Sequence, residues 1–243
     1  MSGTLAGDVL RVRTLTDTCG APHVITIVEP SCTPSNRAYL FAQEQVWQEQ
    51  MAAQPPLQRH RGRLAVDTAY LAARSLCDHI PDSHILAAQD ESGALRGLSL
   101  FYYLPDRQVW DLALHVRDPH DQGGSGEACQ IRGVGSELLG ADADVMASRL
   151  CTTVELMPLD EAAARFWRAR GFAAADGRDC SEDDVCTLSC PGLERLRATY
   201  AASPRDDQDM LCNQWVGYFG RVDVSLHARA YVVGVIPPGR AAQ

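Results

Sequence analysis

Gln130-Ile131-Arg132-Gly133-Val134-Gly135 is the most informative stretch of the chain, because it follows the strand-like run Val109–Val116 and opens the helical run Ser136–Leu150. A strand, a glycine turn and a helix in this order can hold a phosphate. Glycines let the backbone turn and approach an anion without a Cβ clash, and the unpaired N–H groups of the first helical turn point at that anion. Because such glycine pairs are common, the stretch predicts an anion site only with support from elsewhere in the chain.

That support comes from a downstream stretch, Asp160-Glu-Ala-Ala-Ala-Arg-Phe-Trp-Arg-Ala-Arg-Gly-Phe172, which follows the apolar run Val154–Leu159. The glycine stretch resembles the Q/R-x-x-G-x-G/A pyrophosphate loop of the GCN5-related N-acetyltransferases (GNAT family). The downstream stretch is similar to that family's N-x-x-A-x-x-x-Y-x-x-x-G-F helix and lies at the right distance. The resemblance covers about Val9 to Cys190 and is strongest from Leu95 to Phe172.

Composition is that of a globular protein with an acidic balance. The chain has 243 residues, of which 46% are hydrophobic and 22% charged, and its formal net charge is −9. The length suits one large domain or a domain with an extension. The charge disfavours sequence-independent nucleic-acid binding, which needs clustered Lys and Arg. It suits a cationic substrate, because carboxylates that line a cleft raise the local concentration of cations; acidity that only aids solubility is the alternative.

The sequence predicts neither a membrane segment nor a secretory signal. No window has the ~18 consecutive apolar residues that a membrane helix needs, and Met1–Asp8 lacks a basic segment followed by an apolar core. Nine cysteines without regularly spaced pairs predict free thiols in a reducing compartment, the cytoplasm. The spacing of Cys180, Cys186 and Cys190 is not that of zinc ligands, so no metal is expected.

The hydrophobic pattern predicts an α/β domain over residues 1–190 and an extension over residues 191–243. Strands are expected at Val9–Thr16, His23–Glu29, His84–Gln89, Leu95–Leu104, Gln108–Val116 and Thr152–Leu159, with a closing hairpin at Phe172–Ala175 and Asp184–Ser189. Helices are expected at Arg37–Ala53 after the N-cap Ser35, and at Leu64–Ile80, Gly133–Leu150, Asp160–Arg170 and Gly192–Ala202. Loops are expected at Gln58–Arg63 and, weakly ordered, at Arg117–Cys129. Val222–Ile236 reads as one or two strands of an extension that must pack on the domain or on a partner.

The resemblance implies a particular fold. A mixed, strongly twisted sheet of about seven strands has helices on both faces and a V-shaped split between its fourth and fifth strands. Those strands are Gln108–Val116 and Thr152–Leu159 here, and they should run parallel because a helix connects them.

The resemblance also implies an activity, the direct transfer of an acetyl group from acetyl-CoA to a primary amine. Backbone amides of the glycine loop would hold the pyrophosphate. The fourth strand would pair with the pantetheine arm and offer an N–H to the thioester oxygen. The cofactor-binding residues implied are Leu114, His115, Val116, Gln130, Ile131, Arg132, Gly133, Val134, Gly135, Ser136, Asp160 and Trp167.

A base or a water relay is expected, because the attacking amine must be neutral and an alkylammonium has a pKa of ~10.4. The candidates are Asp111 and His115 on the fourth strand and Glu155 on the fifth. Period-two alternation puts Asp111 and His115 on one face of their strand. A glutamate that only pairs with an arginine, and a histidine that only satisfies buried polar groups, are the alternative interpretations.

Two positions depart from the family's pattern. Trp167 stands where many members have a tyrosine that protonates the leaving thiolate, a role that an indole N–H does not fill and that Tyr102 or Tyr103 could take. A thiol pKa of ~8.5 makes thiolate a tolerable leaving group without strong acid catalysis. Asp160 stands where Asn is usual, and an ionised Asp cannot donate a hydrogen bond.

Two further functions stay open beside the transfer to an amine. One is a GNAT protein that binds acyl-CoA without catalysis, as a sensor or scaffold, which Trp167 motivates. The other is an acetyltransferase that modifies a protein, such as a toxin or effector, which the extension motivates. The acceptor could be a polyamine, an aminoglycoside, an amino acid, or a protein lysine or N-terminus, and the net charge favours a small cation. A homodimer is compatible with the sequence.

Overall fold

The structure is a computed structural model of the chain and describes residues 3–53, 56–78, 82–118, 129–149, 153–182 and 184–201. The interior of the predicted loop Arg117–Cys129 and the predicted strands of Val222–Ile236 lie outside these residues.

Eight strands of the described chain form one sheet. They are β1 Gly7–Thr16, β2 Pro22–Pro30, β3 Ser83–Gln89, β4 Leu95–Leu104, β5 Val109–Arg117, β6 Thr153–Leu156, β7 Ala173–Ala174 and β8 Cys186–Ser189. Their order is β1-β2-β3-β4-β5-β6-β8-β7. Among these strands only β5 and β6 pair in parallel. The eight strands match the number that the hydrophobic pattern predicts and exceed by one the seven or so that the resemblance implies, because β1 and β2 both join the sheet as a hairpin.

Helices cover both faces of this sheet. They are α1 Pro34–Ala52, α2 Pro56–Asp78, α3 Val134–Met146, α4 Glu161–Arg168 and α5 Cys190–Ala201. One core lies under α1 and α2 and contains Leu40 and Trp47; the other lies under α3, α4 and α5 and contains Leu138 and Leu196. The predicted α/β fold, with a mixed sheet between two helical layers, is confirmed. No helix in the described ranges is both long and apolar enough to cross a membrane.

The first two helices differ locally from the sequence prediction. The N-cap of α1 is Thr33, not Ser35: its side chain accepts a hydrogen bond from the Asn36 amide at 3.2 Å, and a proline follows it at the start of the helix. Gln58–Arg63 is helical rather than a loop, because it lies inside α2. Tyr70 is 41% exposed and does not belong to the buried face of α2.

Helices α3 and α4 are shorter than predicted. The helix α3 ends at Met146, so its C-cap is Ala147. The C-cap of α4 is Ala169 rather than Gly171. Gly171 follows with a φ of +90°, a conformation in which glycine has no Cβ penalty, and it turns the chain out of the helix.

Candidate functional site

The sheet opens between β5 and β6. These strands pair only through Val109 with Thr153, Trp110 with Val154, and Asp111 with Glu155. Strand β5 continues to Arg117, and no further pairing with the described residues of β6 accompanies it. A split between these parallel strands is what the sequence predicts. It leaves an edge of β5 whose backbone groups can pair with an extended ligand.

A β-bulge interrupts β5 at the start of this split. Leu100 of β4 pairs with Leu114 of β5, but Tyr102 pairs with Asp111. An advance of two residues along β4 therefore corresponds to three residues along β5. Such an insertion shifts the alternation of side chains by one residue. Accordingly, Ala113 and Leu114 are consecutive yet both belong to the core under α1 and α2.

The prediction that Asp111 and His115 share a face is therefore wrong. His115 contacts α3 through hydrogen bonds, so it lies on the face that α3 covers. Asp111 precedes the bulge and lies between Trp110 and Leu112, which both belong to the core on the α3 face. Alternation then puts Asp111 on the opposite face.

Asp111 belongs to a row of polar side chains at the point where the sheet opens. Its cross-strand partner on β4 is Tyr102, and its partner on β6 is Glu155. Directly paired residues of neighbouring strands share a face. We call Tyr102, Asp111 and Glu155 the carboxylate row. The base candidates Asp111 and Glu155 are thus adjacent, whereas the third candidate, His115, lies on the opposite face of the sheet.

Glu155 is held by an arginine from the turn between β4 and β5. The Arg107 Nη2 atom donates to Oε1 of Glu155 at 2.8 Å and to Oε2 at 2.9 Å. Beside the row lies a cavity of about 340 Å³. Its lining residues are Asp82, Tyr102, Tyr103, Leu104, Pro105, Asp106 and Arg107. Arg149 pairs with Asp82 and Arg107 pairs with Glu155, so Asp106 is the lining carboxylate that would favour a cationic group.

The glycine loop forms the N-terminus of α3. Gly133 is the N-cap, with φ +83° and ψ −5° and no side-chain cap. A residue with a Cβ is strained in this left-handed conformation, so the position requires glycine. The next three residues, Val134 to Ser136, have N–H groups without acceptors inside the helix, since the first helical hydrogen bond runs from Glu137 to the Gly133 carbonyl at 3.0 Å. Their N–H groups and the helix dipole together favour an anion.

The turn between β1 and β2 holds the start of this loop. The Thr18 amide donates to the Gln130 carbonyl at 2.9 Å, the Gln130 amide donates to the Thr18 hydroxyl at 3.1 Å, and Asp17 forms a β-bridge with Ile131. The Arg132 amide donates to the Thr16 carbonyl at 3.2 Å. The Arg132 amide is therefore already engaged, and its predicted role in anion binding would require this hydrogen bond to break.

Charges around the first turn of α3 are balanced in favour of an anion. Glu137 is almost fully buried, and it is compensated by Arg11 at 3.5 Å and Arg13 at 3.4 Å. The Arg170 Nη2 atom donates to the Ser136 hydroxyl at 2.8 Å, which brings a further guanidinium to the helix N-terminus. Arg11 also binds Asp144 at 2.6 Å, so Arg13 and Arg170 are the guanidinium groups that would favour a pyrophosphate at this helix N-terminus.

The His115 side chain of β5 forms hydrogen bonds to the first turn of α3 and to Asp142 farther along that helix. Its Nε2 atom lies 3.0 Å from the Gly135 carbonyl, and its Nδ1 atom lies 3.0 Å from Oδ2 of Asp142 and 3.3 Å from the Ser99 hydroxyl. A carbonyl only accepts, so Nε2 carries a hydrogen. His115 and Asp142 are both 0% exposed. Burial raises the pKa of Asp142, against the lowering effect of the hydrogen bonds from His115 and Ser99.

The remaining predicted cofactor residues are buried or act as caps. Leu114 and Val116 are at most 1% exposed, so β5 offers its backbone rather than these side chains. Trp167 is 0% exposed and packs edge-on against His115 at 5.6 Å. Within the described residues its Nε1 atom has no hydrogen-bond partner. Asp160 accepts a hydrogen bond from the Ala163 amide at 2.9 Å and caps α4, a role that Asp fills as well as Asn.

Sequence reasoning missed Ser99, Arg107 and Asp142. One signal was available for Asp142: it lies four residues after Leu138 and four before Met146, so helical periodicity places it on the buried face. A polar residue at such a position requires a partner. The sequence offers no comparable signal for Arg107, whose position depends on the turn between β4 and β5.

Cysteine pairing also differs from the prediction. Disulfides join Cys19 to Cys129 and Cys180 to Cys186, whereas Cys32 and Cys190 are exposed and form no disulfide with the described cysteines. The prediction of free thiols is wrong for the four paired cysteines. The first pair is separated by 110 residues, and no local spacing reveals such a pair.

Comparison with known proteins gives a mixed result. No protein-family model and no curated protein matches the chain. A GNAT-family acetyltransferase from Staphylococcus aureus Mu50 is similar in structure, with a TM-score of 0.44, 13% identity, and 68% of this chain and 98% of that chain covered. An aminoglycoside 6'-acetyltransferase of type Ii has a TM-score of 0.41 and 18% identity, and the match covers 66% of this chain and 94% of that chain. A GNAT-family N-acetyltransferase from Escherichia coli in complex with CoA has a TM-score of 0.38 and 16% identity, and the match covers 53% of this chain and 71% of that chain. Likenesses at these identities and TM-scores assign no activity to this chain.

Proposed function

We propose that the chain is an N-acetyltransferase of the GNAT type, which transfers an acetyl group from acetyl-CoA to a primary amine. The observation that carries this proposal is a conjunction: a glycine-capped helix N-terminus lies beside a pair of parallel strands that separate after three paired residues. His115 of β5 links the two features through its hydrogen bond to Gly135. An anion site joined to an open strand edge in this way fits an acyl-CoA. The anion site would take its pyrophosphate, and the strand edge would take its pantetheine arm.

The cofactor would bind along these two features. The amides from Gly133 to Ser136 hold the pyrophosphate, and the free edge of β5 from Leu114 to Val116 pairs with the pantetheine arm. The acetyl group then reaches the bulge and the carboxylate row. A backbone N–H of β5 at the split can stabilise the oxyanion that forms on the thioester carbonyl.

The carboxylate row supplies the proton acceptor. Asp111 or Glu155, directly or through a water molecule, takes the proton from the ammonium group of the acceptor. The neutral amine attacks the thioester carbon, the C–N bond forms, the C–S bond breaks, and CoA leaves as the thiolate. Tyr102 is the better placed of the two tyrosines to return a proton to sulfur, because it is the direct neighbour of Asp111. Tyr103 packs against Trp110 at 5.0 Å.

The acceptor that this site favours is a small cationic amine. Asp106 lines the cavity beside the row, where the other lining carboxylate, Asp82, already pairs with Arg149, and the whole chain carries a net charge of −9. Both features raise the local concentration of a cation.

Amine-dependent release of CoA thiol from acetyl-CoA tests the proposal. With a panel of polyamines, aminoglycosides and amino acids, the wild-type chain should release thiol with at least one class. Glu155→Gln and Asp111→Asn should each lower kcat by up to about 10²- to 10⁴-fold if that residue is the base. Glu29→Gln is the matched control, since Glu29 is also a strand glutamate with a nitrogen-bearing partner, the His84 ring, at 2.7 Å. Wild-type rates in both row variants would remove the row from the mechanism.

A second candidate function is acyl-CoA binding without catalysis. It is favoured by the double contact between Arg107 and Glu155, which occupies both carboxylate oxygens, and by the burial of Trp167 at the usual tyrosine position. This function predicts that acetyl-CoA binds and that no amine in the panel releases thiol.

A further inference from the structure

A disulfide lies at the entrance to the proposed pyrophosphate loop. It joins Cys19, in the turn between β1 and β2, to Cys129, four residues before the N-cap Gly133. The two Cα atoms are 5.5 Å apart, and both cysteines are exposed. A thiol reagent or a reductant can therefore reach this pair from solvent.

One end of the bridge is anchored in a hydrogen-bonded turn. Asp17 accepts hydrogen bonds from the amides of Cys19 and Ala21, each at 2.8 Å, and its other oxygen lies 3.0 Å from Nε2 of His23. The Asp17 side chain is 5% exposed. The position of Cys19 is thus fixed by the β1–β2 hairpin itself.

The other end belongs to the segment that leads into the loop. Two backbone hydrogen bonds, from Thr18 to Gln130 and from Arg132 to Thr16, form the β-bridge that connects this segment to the β1–β2 hairpin, and the Gln130 amide also donates to the Thr18 hydroxyl. The disulfide adds a covalent bond immediately before them. Breaking it leaves the approach to Gly133 held by the buried Ile131 side chain and by these hydrogen bonds, and water competes for those at the exposed Thr18.

We propose that Cys19 and Cys129 form a redox modification site that sets the affinity of the loop for acyl-CoA. This inference rests on the proposed function. In the disulfide form the segment 129–132 is held against the β1–β2 turn, and the amides of α3 stand ready for the pyrophosphate. In the dithiol form the segment visits other conformations, and the apparent dissociation constant rises as the fraction of chains competent to bind falls.

The exchange is chemically balanced with a small disulfide such as glutathione disulfide. One cysteine thiolate attacks that disulfide, forms a mixed disulfide and releases one glutathione thiolate. The second cysteine thiolate then attacks the mixed disulfide at the protein sulfur, forms the Cys19–Cys129 bond and releases the second glutathione. Two protein thiols are oxidised, one glutathione disulfide is reduced to two glutathione thiols, and the protons of the protein thiols pass to them.

Metal binding is the competing interpretation of this cluster. Ligand atoms of Asp17, Cys19 and Cys129 all lie within 4.8 Å of one another. Both carboxylate oxygens of Asp17, however, already take part in the hydrogen bonds of the turn, and the two sulfurs are bonded to each other. These contacts favour the disulfide.

The first test maps the bond. Non-reducing digestion and mass spectrometry of the full chain after treatment with glutathione disulfide should yield a peptide pair linked through Cys19 and Cys129. Reduction should separate that pair. The absence of this linked pair, or retention of one zinc ion by the reduced wild-type chain but not by Cys19→Ser/Cys129→Ser, would overturn the inference.

The second test measures affinity. Calorimetric titration with acetyl-CoA, which has no free thiol, should give a dissociation constant about tenfold higher for the reduced than for the oxidised chain, as expected if about a tenth of reduced chains are competent. Cys19→Ser/Cys129→Ser should bind like the reduced chain under both conditions. Reduction also breaks the second disulfide, so Cys180→Ala/Cys186→Ala is the matched control and should keep the tenfold response.

The outcomes separate this inference from the proposed function. Equal affinity of the oxidised and reduced wild-type chains would overturn the redox site and leave the acyl-CoA site standing. The redox site would also be overturned if the affinity of Cys19→Ser/Cys129→Ser still changed on reduction while that of Cys180→Ala/Cys186→Ala did not. No binding of acetyl-CoA in either state would contradict the proposed function, and the inference would fall with it.

Discussion

His115→Leu is expected to destabilise the chain more than any surface histidine variant. His115 and Asp142 are both 0% exposed. Removing the imidazole takes away one of the hydrogen bonds to the buried Asp142 carboxylate and leaves that of the Ser99 hydroxyl, 2.9 Å away. Breaking a buried ionic pair by removing one partner costs about 3–5 kcal/mol. We therefore expect the free energy of unfolding to fall by about that amount.

A double-mutant cycle isolates the contribution of the pair. Asp142→Asn keeps the shape of the side chain and removes its charge, so it should cost about 1–2 kcal/mol. In His115→Leu/Asp142→Asn the buried carboxylate is gone, and the loss should be smaller than the sum of the two single losses by about 1–3 kcal/mol. Urea denaturation followed by circular dichroism measures all four proteins.

The same variants separate stability from binding. The double variant should still bind acetyl-CoA more weakly than wild type, because the Gly135 carbonyl has lost the imidazole that fixes it. The matched control is His84→Leu, since His84 also contacts a carboxylate, Glu29, but is partly exposed; its loss should stay within about 1 kcal/mol. Additive losses in the cycle, or a His115→Leu loss no larger than that of His84→Leu, would show that the buried pair does not support the loop.

Three further predictions concern the loop and its surroundings. Gly133→Glu should abolish acetyl-CoA binding in calorimetry through steric conflict and charge repulsion, whereas Gly177→Glu, at a turn with a φ of +82° and no atom near its Cβ, should carry similar backbone strain and keep binding. Hydrogen bonds, first from His23 and then from the Ala21 amide, lower the pKa of Asp17. The ionised carboxylate therefore stabilises the folded chain above about pH 4, and this stabilisation is lost as pH falls through the lowered pKa. Asp17→Asn should lower the urea midpoint at neutral pH and flatten its dependence on acid pH. Trp167→Phe should leave thiol release within about threefold of wild type if the indole is no proton donor.

Each of these three has a result that contradicts it. Unchanged acetyl-CoA affinity in Gly133→Glu would remove the pyrophosphate assignment. A urea midpoint of Asp17→Asn that follows the wild-type curve at every pH would show that the carboxylate is not stabilising. A loss of thiol release beyond about a hundredfold in Trp167→Phe, with the fold intact, would give the indole a role in the reaction.

The order of strands and helices follows from local patterns, and the sequence predicts most of it. Strand β4 has the predicted bounds, Leu95–Leu104, because a run of apolar and aromatic residues ends at a proline. The parallel pairing of β5 and β6 follows from the helix between them. The glycine loop is also where the sequence places it, because glycine is the residue that best fits an N-cap with a φ of +83°.

Features that depend on a distant segment of the chain were not predictable in this way. The bulge in β5 falls in Leu112–Leu114, which is apolar at every position, so the pattern contains no sign of the shifted alternation that separates Asp111 from His115. The carbonyl that accepts a hydrogen bond from the Arg132 amide belongs to Thr16, which is far away in the sequence. Long-range pairing decides these details, and local propensity does not contain it.

The acyl-CoA assignment is tested most directly by calorimetric titration of the chain with acetyl-CoA, followed by addition of the amine panel to the same sample. We predict saturable binding of one acetyl-CoA per chain and release of CoA thiol only after an amine is added. Failure of acetyl-CoA to bind to the wild-type chain, in its disulfide form and after reduction, would contradict the assignment of the α3 N-terminus and the β5 edge as an acyl-CoA site.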